Sequence, residues 1–133
     1  MILVLDTSIW IAILLPADKF HIRAKSWMES CPPNVELTCP QLSLVEIAST
    51  LARQKKSRTY ILRCLELVHQ MIQLPPECHL YYENCIEAAV NCKCRGADSI
   101  FIGLCDYLRA DLCTLDQEQQ LKSQKMVKCH VLK

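Results

Sequence analysis

The chain alternates short apolar runs with longer segments whose apolar residues recur at helical spacing, and this alternation constrains its fold most. Ile2–Leu5 is a fully apolar, partly β-branched run of the kind found in strands buried on both faces. Further strands are predicted at Val35–Cys39, Leu112–Leu115 and Met126–Leu132. Strands separated by helices favour an α/β fold, a three-layer α/β/α sandwich around a mostly parallel central sheet.

Prolines and capping residues delimit the predicted helices. These helices are Ile9–Leu15, Phe20–Glu29, Gln41–Gln54, Arg58–Ile72, Tyr81–Cys94, Ala97–Arg109 and the short turn Gln117–Lys122. The third and fourth helices are joined by a few polar residues, so we expect a helical hairpin with a basic tip. A length of 133 residues fits one domain spanning residues 1–133.

Two broad function classes receive no support from the sequence. The apolar segment Ile9–Leu15 is too short to cross a bilayer and lacks the basic flank of a signal peptide, so we expect a soluble, cytoplasmic protein without a membrane partner. The formal net charge of +1 gives no overall attraction to nucleic acid. Binding of nucleic acid would therefore have to come from local basic patches.

Ten cysteines are an unusual load for a chain of this length. No pair has the Cys-x₂-Cys spacing of a zinc site, and most of these residues occupy apolar positions. Reduced thiols that pack as small hydrophobic groups are the favoured interpretation. An incidental metal site and redox sensitivity are the two alternatives.

Four acidic residues stand at the ends of predicted elements. Asp6 and Asp116 follow strands, Glu46 lies in a helix, and Asp98 opens one. The carboxyl ends of parallel strands meet at one edge of a sheet, where crowded carboxylates repel unless protons or a cation neutralise them. Oxygen ligands suit Mg²⁺ or Mn²⁺ rather than zinc. The pattern therefore predicts metal-assisted chemistry on a phosphodiester.

Each acid taken singly has a purely structural explanation. Asp6 is a good helix N-cap, and Asp98 is a first-turn acid favoured by the helix dipole. Asp116 suits a turn after a strand. Glu46 lies off the apolar stripe of its helix, as a solvated glutamate would. The four acids carry weight only as a set.

The motifs LVLDTS, VEIAS, GADSIFIGL and CTLDQE follow one another along nearly the whole chain. In this order and spacing they resemble the PIN domain, in particular the VapC-type toxin ribonucleases. The resemblance implies that four acids hold the metal and carry catalysis, namely Asp6, Glu46, Asp98 and Asp116. It also implies that Thr114 orients a neighbouring carboxylate. Ser8 and Glu118 match positions where the family places supporting polar or acidic residues.

The same resemblance implies an Mg²⁺-dependent (or Mn²⁺-dependent) endoribonuclease, the toxin of a toxin–antitoxin pair. Its implied partners are an RNA substrate, a second copy in a homodimer, and a small antitoxin that covers the acidic crevice. Ile9–Leu15 and Arg58–Ile72 are the predicted partner surfaces. One alternative is a catalytically silent interaction protein with this fold. A metal-dependent phosphatase is less favoured, because Asp6-Thr7-Ser8 lacks the second aspartate of the phosphatase D-x-D pattern.

Basic residues that would bind RNA phosphates form two groups. The candidates are Arg53, Lys55, Lys56 and Arg58 around the hairpin tip, with Lys93 and Arg95 just before Asp98. A solvated basic surface explains the hairpin residues equally well.

Overall fold

A parallel sheet forms the centre of the computed structural model, which describes residues 1–130 and 132. In these residues the sheet has four strands, β1 (Ile2–Leu5), β2 (Glu36–Thr38), β3 (Asp111–Cys113) and β4 (Cys129–His130). Their spatial order is β2-β1-β3-β4, and each neighbouring pair runs parallel. The predicted α/β fold with a parallel sheet is confirmed.

Helices cover both faces of this sheet. They are α1 (Thr7–Leu14), α2 (His21–Ser30), α3 (Gln41–Arg53), α4 (Arg58–Met71), α5 (Tyr82–Cys92), α6 (Gly96–Leu108) and α7 (Gln117–Ser123), with a 3₁₀ turn at Cys78–Leu80. Their bounds lie within a few residues of the predicted ones. In the part of the chain that the structure describes, no helix is both long and apolar enough to cross a membrane.

The central strand β1 contributes to two separate cores. Leu3 and Leu5 face one side of the sheet, where they join buried residues of α1 to α4. Val4 faces the other side and packs with residues of α5 and α6. Successive side chains of a strand point to opposite faces, so a strand between two helical layers must be apolar at every position. This explains why Ile2–Leu5 lacks a polar residue.

β3 ends earlier than predicted, and β4 begins later. β3 stops at Cys113 rather than Leu115, because the Oγ1 atom of Thr114 accepts the backbone N–H of Asp116 and turns the chain out of the sheet. In the predicted strand Met126–Leu132, the N–H groups of Met126 and Val127 instead bond back to Ser123. The described part of this strand is β4, while residue 131 of the prediction lies outside the described residues.

The predicted partner surface at Ile9–Leu15 is mostly interior. Four residues of α1, from Ile9 to Ala12, are buried in the core. Because these side chains already pack within the chain, this segment is not available as a broad docking face. The other predicted surface, on α4, does leave Leu62 and Leu67 more than half exposed.

The ten cysteines are all free thiols, and most of them are buried. Burial raises the pKa of nine of them, while Cys78 lies exposed in the 3₁₀ turn. Cys85 on α5 meets α6 at Gly103, where an added Cβ would lie 2.6 Å from the Cys85 backbone nitrogen. Only a residue without a side chain permits this approach of two helices.

Candidate active site

Asp6 stands at the carboxyl end of β1 and caps α1. Its backbone N–H donates to the carbonyl of Cys113 at 2.9 Å, which fixes it at the junction of β1 and β3. Its Oδ2 atom accepts the N–H of Ser8 and the hydroxyl of Thr114, both at 3.1 Å. The residue is 9% exposed. The N-cap explanation is therefore correct for Asp6, but it leaves the Thr114 contact to be explained.

Glu46 lies on α3 and accepts a hydrogen bond from a residue at the start of α1. The Thr7 hydroxyl donates to Glu46 Oε1 at 2.9 Å and lies 3.0 Å from the Ser43 hydroxyl. Since Thr7 directly follows Asp6, this bond holds the glutamate beside the end of β1. Glu46 is half-buried rather than fully solvated. The structural explanation of a solvated helix residue is thus wrong for this position.

Asp98 occupies the first turn of α6 and is paired with a cation. The Arg95 Nε atom donates to Asp98 Oδ2 at 3.1 Å. The Asp98 side chain is 17% exposed and the Arg95 side chain 78% exposed. Asp98 therefore faces inward while its partner arginine stands in solvent.

Asp116 is the N-cap of α7, and its Oδ1 atom accepts the N–H groups of Glu118 and Gln119. Its own N–H donates to Thr114 Oγ1 at 3.1 Å. The buried threonine hydroxyl thus bridges Asp6 and Asp116, and it lies 3.4 Å from the Ser8 hydroxyl. Glu118 is exposed and bonds Lys122 at 2.7 Å.

Burial and two neighbouring acids act on the pKa of Glu46. Burial raises the pKa of Glu46 above its ordinary value, the Thr7 hydroxyl opposes this, and the charges of Asp6 and Asp98 raise it further. Arg95 acts in the opposite direction on Glu46. Like charges raise a carboxyl pKa most at short range, and Thr7, the residue after Asp6, holds Glu46 beside the end of β1.

The donors at this edge of the sheet are all oxygen atoms, which fits Mg²⁺ or Mn²⁺. Within residues 1–130 and 132, however, no three acidic, histidine or cysteine side chains are grouped closely enough to hold one metal ion. The donor chemistry of these acids nevertheless fits the metal. Asp98 is the acid whose present position depends on a side-chain ion pair.

Two openings lead from the acids to the surface. A cavity of about 370 Å³ lies beside Asp116 and has the apolar side chains of Ile11, Phe20 and Leu115 in its wall. A second, more polar groove of about 270 Å³ runs along α3 from Glu46 to Arg53. Thr7 and Thr50 line both, so the openings adjoin at the start of α1.

The predicted RNA-binding residues divide between the site and more distant surface. Arg53 lines the groove beside Glu46, and Arg95 contacts Asp98. Lys55, Lys56 and Arg58 are exposed beyond the end of α3. Seven residues of helix, about 10 Å, separate Glu46 from the last residue of α3. Lys93 is the exposed C-cap of α5.

Thr7 and Ser43 were not among the predicted site residues, although Thr7 donates to Glu46 and the Ser43 hydroxyl contacts Thr7. The available signal was spacing: Thr7 follows Asp6 directly, and Ser43 lies one helical turn before Glu46. Their contact joins positions 36 residues apart, which no local pattern predicts.

Comparisons with known proteins agree on one family. A family model described as the PIN domain matches residues 3–123. No curated protein sequence matches the chain. Three similar solved structures are VapBC2 from Rickettsia felis bound to a DNA fragment from their promoter, VapBC-1 from nontypeable Haemophilus influenzae, and FitAcB from Neisseria gonorrhoeae.

The extent of these likenesses is similar in all three. The Rickettsia chain has a TM-score of 0.75 at 14% identity, over 100% of both chains. The Haemophilus chain has a TM-score of 0.71 at 20% identity, and the match covers 99% of this chain and 98% of the Haemophilus chain. The Neisseria chain has a TM-score of 0.69 at 18% identity, and the match covers 97% of this chain and 96% of the Neisseria chain. At these identities the likeness concerns the fold.

Proposed function

The chain belongs to the PIN domain family, and from that membership we propose that residues 1–133 form a single metal-dependent endoribonuclease domain, the toxin of a type II toxin–antitoxin pair. The observation that carries this proposal is the set of acids at the carboxyl edge of β1 and β3. Asp6 and Glu46 lie there within a hydroxyl network, and Asp98 raises the pKa of Glu46. PIN domains are generally nucleases.

Asp6, Glu46, Asp98 and Asp116 are the residues that would hold Mg²⁺ or Mn²⁺. A bound ion of this kind lowers the pKa of water and stabilises charge on the leaving oxygen of a phosphodiester. The chain supplies the geometry for this reaction. Thr114 holds Asp6 at 3.1 Å, and Thr7 holds Glu46 at 2.9 Å. Ser8 supports the same strand ends, because its hydroxyl accepts the Leu115 N–H.

The polar groove along α3 is the proposed path of the RNA. It begins at Glu46 and ends at the guanidinium of Arg53, which suits a phosphate next to the cleaved bond. The exposed residues Lys55, Lys56 and Arg58 extend this basic surface along the strand. We assign the substrate as single-stranded RNA, whose backbone can bend into a groove of this size.

The second opening is the proposed antitoxin site. Its wall is apolar at Ile11, Phe20 and Leu115, and its rim carries Asp116. A peptide with apolar side chains that fills it would cover the acids and exclude RNA. Tyr82, Ile86 and Val90 form an exposed apolar stripe on α5, at four-residue spacing. This stripe is the proposed surface for a second copy of the chain.

An RNA cleavage assay tests the proposed activity. Single-stranded and duplex RNA are incubated with the purified protein in Mg²⁺ or Mn²⁺, with EDTA added to half of the samples. We expect cleavage of the single strand that EDTA abolishes and that renewed metal restores. Cleavage that persists in EDTA would contradict the metal mechanism. No cleavage in either metal, by folded protein, would favour the silent interaction protein instead.

A further inference from the structure

Arg95 occupies a position that helix stability does not explain. It is the N-cap of α6, yet its side chain makes no capping hydrogen bond. The N-terminal end of a helix carries partial positive charge and favours acids rather than cations. Arginine is also not among the residues that cap helices well. Its presence here therefore has another cause.

The contacts of Arg95 point to the acids. Its Nε atom donates to Asp98 Oδ2 at 3.1 Å. Among the described residues, the guanidinium makes no other hydrogen bond. The side chain is 78% exposed, so the pair lies on the solvent side of the site. Exposed ion pairs of this kind are weak and open readily.

The charge of Arg95 acts on more than Asp98. The pKa of Arg95 is raised, chiefly by its hydrogen bond to Asp98, and the charges of Asp116 and Glu118 raise it further. Arg95 in turn lowers the pKa of Glu46, against the effect of Asp98. Its guanidinium lies against Asp98, at the side of the acids to which an added cation would also be attracted.

We propose that Arg95 is the internal counter-ion of the acids: it holds Asp98 while no divalent cation is bound and releases Asp98 when one binds. The inference rests on the proposed function, because it requires that these carboxylates hold a metal. In residues 1–130 and 132, where no three such side chains are grouped for one ion, Asp98 is paired with Arg95 instead. Opening of the bond to Arg95 frees Asp98 Oδ2 for a cation.

A different role for Arg95 predicts the opposite result. If the arginine instead orients Asp98 for the metal, its removal should weaken metal binding, as loss of an orienting partner generally does. If Arg95 competes with the metal, its removal should strengthen binding, because one positive charge and one ion pair no longer oppose it. The sign of the change therefore decides between the two roles.

The test is a titration with Mn²⁺, in which electron paramagnetic resonance measures the free aquo-ion. The variants are Arg95→Gln, Arg95→Lys and the control Lys93→Gln, which removes the same charge two residues away. Arg95 and Lys93 are both exposed, so all variants should fold. We expect Arg95→Gln to bind Mn²⁺ about 3- to 10-fold more tightly, the range for losing a weak ion pair plus one nearby charge. The other two should stay within about twofold of the wild type.

A second readout observes the arginine itself. The ¹⁵N–¹H signal of the Arg95 Nε group, identified by its absence in Arg95→Gln, should shift when diamagnetic Mg²⁺ is added, because its acceptor leaves. An unchanged signal, or Mn²⁺ binding by Arg95→Gln that is equal to or weaker than wild type, overturns the counter-ion role alone. Failure of the wild type and of every variant to bind Mn²⁺ overturns the proposed function as well.

Discussion

The two halves of the acid site hold their carboxylates by different means. In the inner half, Asp6 and Glu46 accept hydrogen bonds from the neutral hydroxyls of Thr114 and Thr7. In the outer half, Asp98 is paired with the cation Arg95, and Asp116 accepts backbone N–H groups at the positive end of α7. Asp6 also accepts a backbone N–H, that of Ser8 at the start of α1. The sharpest contrast is therefore between Glu46, which a neutral hydroxyl holds, and Asp98, which a cation holds.

This difference separates rigidity from adjustability within one site. Hydroxyl bonds from buried or half-buried residues fix the inner carboxylates to the strand ends, but their mutual repulsion persists and contributes to the raised pKa of Glu46. An exposed ion pair fixes Asp98 only loosely. We infer that the inner half sets the location of the site and that the outer half completes it on binding.

The largest expected effect follows removal of one charge from each half. Glu46→Gln and Asp98→Asn should each lower RNA cleavage by more than about 100-fold, since loss of a group that merely orients a metal ligand costs on the order of 10- to 100-fold. Their stabilities in EDTA should differ. Glu46→Gln should melt at or above the wild-type temperature, because repulsion is relieved, while Asp98→Asn leaves Arg95 unpaired and should melt slightly lower.

Single-turnover cleavage and thermal melting measure these two effects, with circular dichroism as the check on folding. A clear loss of melting temperature in Glu46→Gln would remove the distinction between the halves. It would mean that the bond from Thr7 stabilises the fold by more than the neighbouring acids destabilise it.

The next effect concerns the hydroxyl that joins the halves. Thr114→Val removes the donor to Asp6 and the acceptor of the Asp116 N–H. Unsatisfied buried groups cost about 1–3 kcal/mol each, and misplacement of a ligand costs about 10- to 100-fold in activity. Chemical denaturation and cleavage rates measure both, with Thr114→Ser as the control that keeps the hydroxyl. Equal behaviour of the two variants would contradict the bridging role.

The fold was predictable where local pattern determines it. The apolar run of β1 and the spaced apolar residues of α3 indicated elements that the structure contains. The end of β3 was not predictable, because the Thr114 hydroxyl and the Gln120 side chain turn the chain at Thr114 and Leu115. Both bonds are local, between residues two and six positions apart. Strand propensity does not include bonds from side chains to the backbone, which compete with the sheet.

For the site, the sequence indicated which acids to consider but not how they are held. The role of Thr7 was not predicted, because its hydrogen-bond partner Glu46 is 39 residues away in the sequence. Arg95 was predicted as a phosphate contact, although its three-residue spacing from Asp98 already permits an ion pair. The catalytic and metal-binding roles of the acids stay predictions, which the variants above address.

A smaller effect is expected at the basic hairpin tip, outside both halves. Replacement of Lys55, Lys56 and Arg58 by alanine should lower the slope of log K against log salt for RNA binding by about 2, if all three contact phosphates. Maximal cleavage rate should change little, since α3 separates the tip from Glu46. Fluorescence anisotropy over a salt series measures the slope. The control removes three other exposed lysines, Lys25, Lys125 and Lys128, and an equal slope change there would exclude specific contact.

The smallest expected effect is a pH dependence confined to the inner half. Folding raises the pKa of Glu46 above 4.5, chiefly through burial, so the folded protein binds this proton more tightly than the unfolded chain. Protonated Glu46 therefore contributes to stability fully below its pKa in the unfolded chain. This contribution is lost as pH rises through its pKa in the folded protein. Melting temperatures from pH 4 to 7 in EDTA should fall relative to Glu46→Gln. A constant difference between the two proteins would show that Glu46 titrates normally.

The burial of the thiols lowers the reactivity of this cysteine-rich chain toward electrophiles. A thiol reacts with a maleimide as its thiolate, and burial raises the pKa of nine of these residues above its ordinary value. Cys78 is the exposed thiol among the ten. It thus provides a natural attachment point for one fluorophore or spin label, on the 3₁₀ turn before α5 and without engineered substitutions.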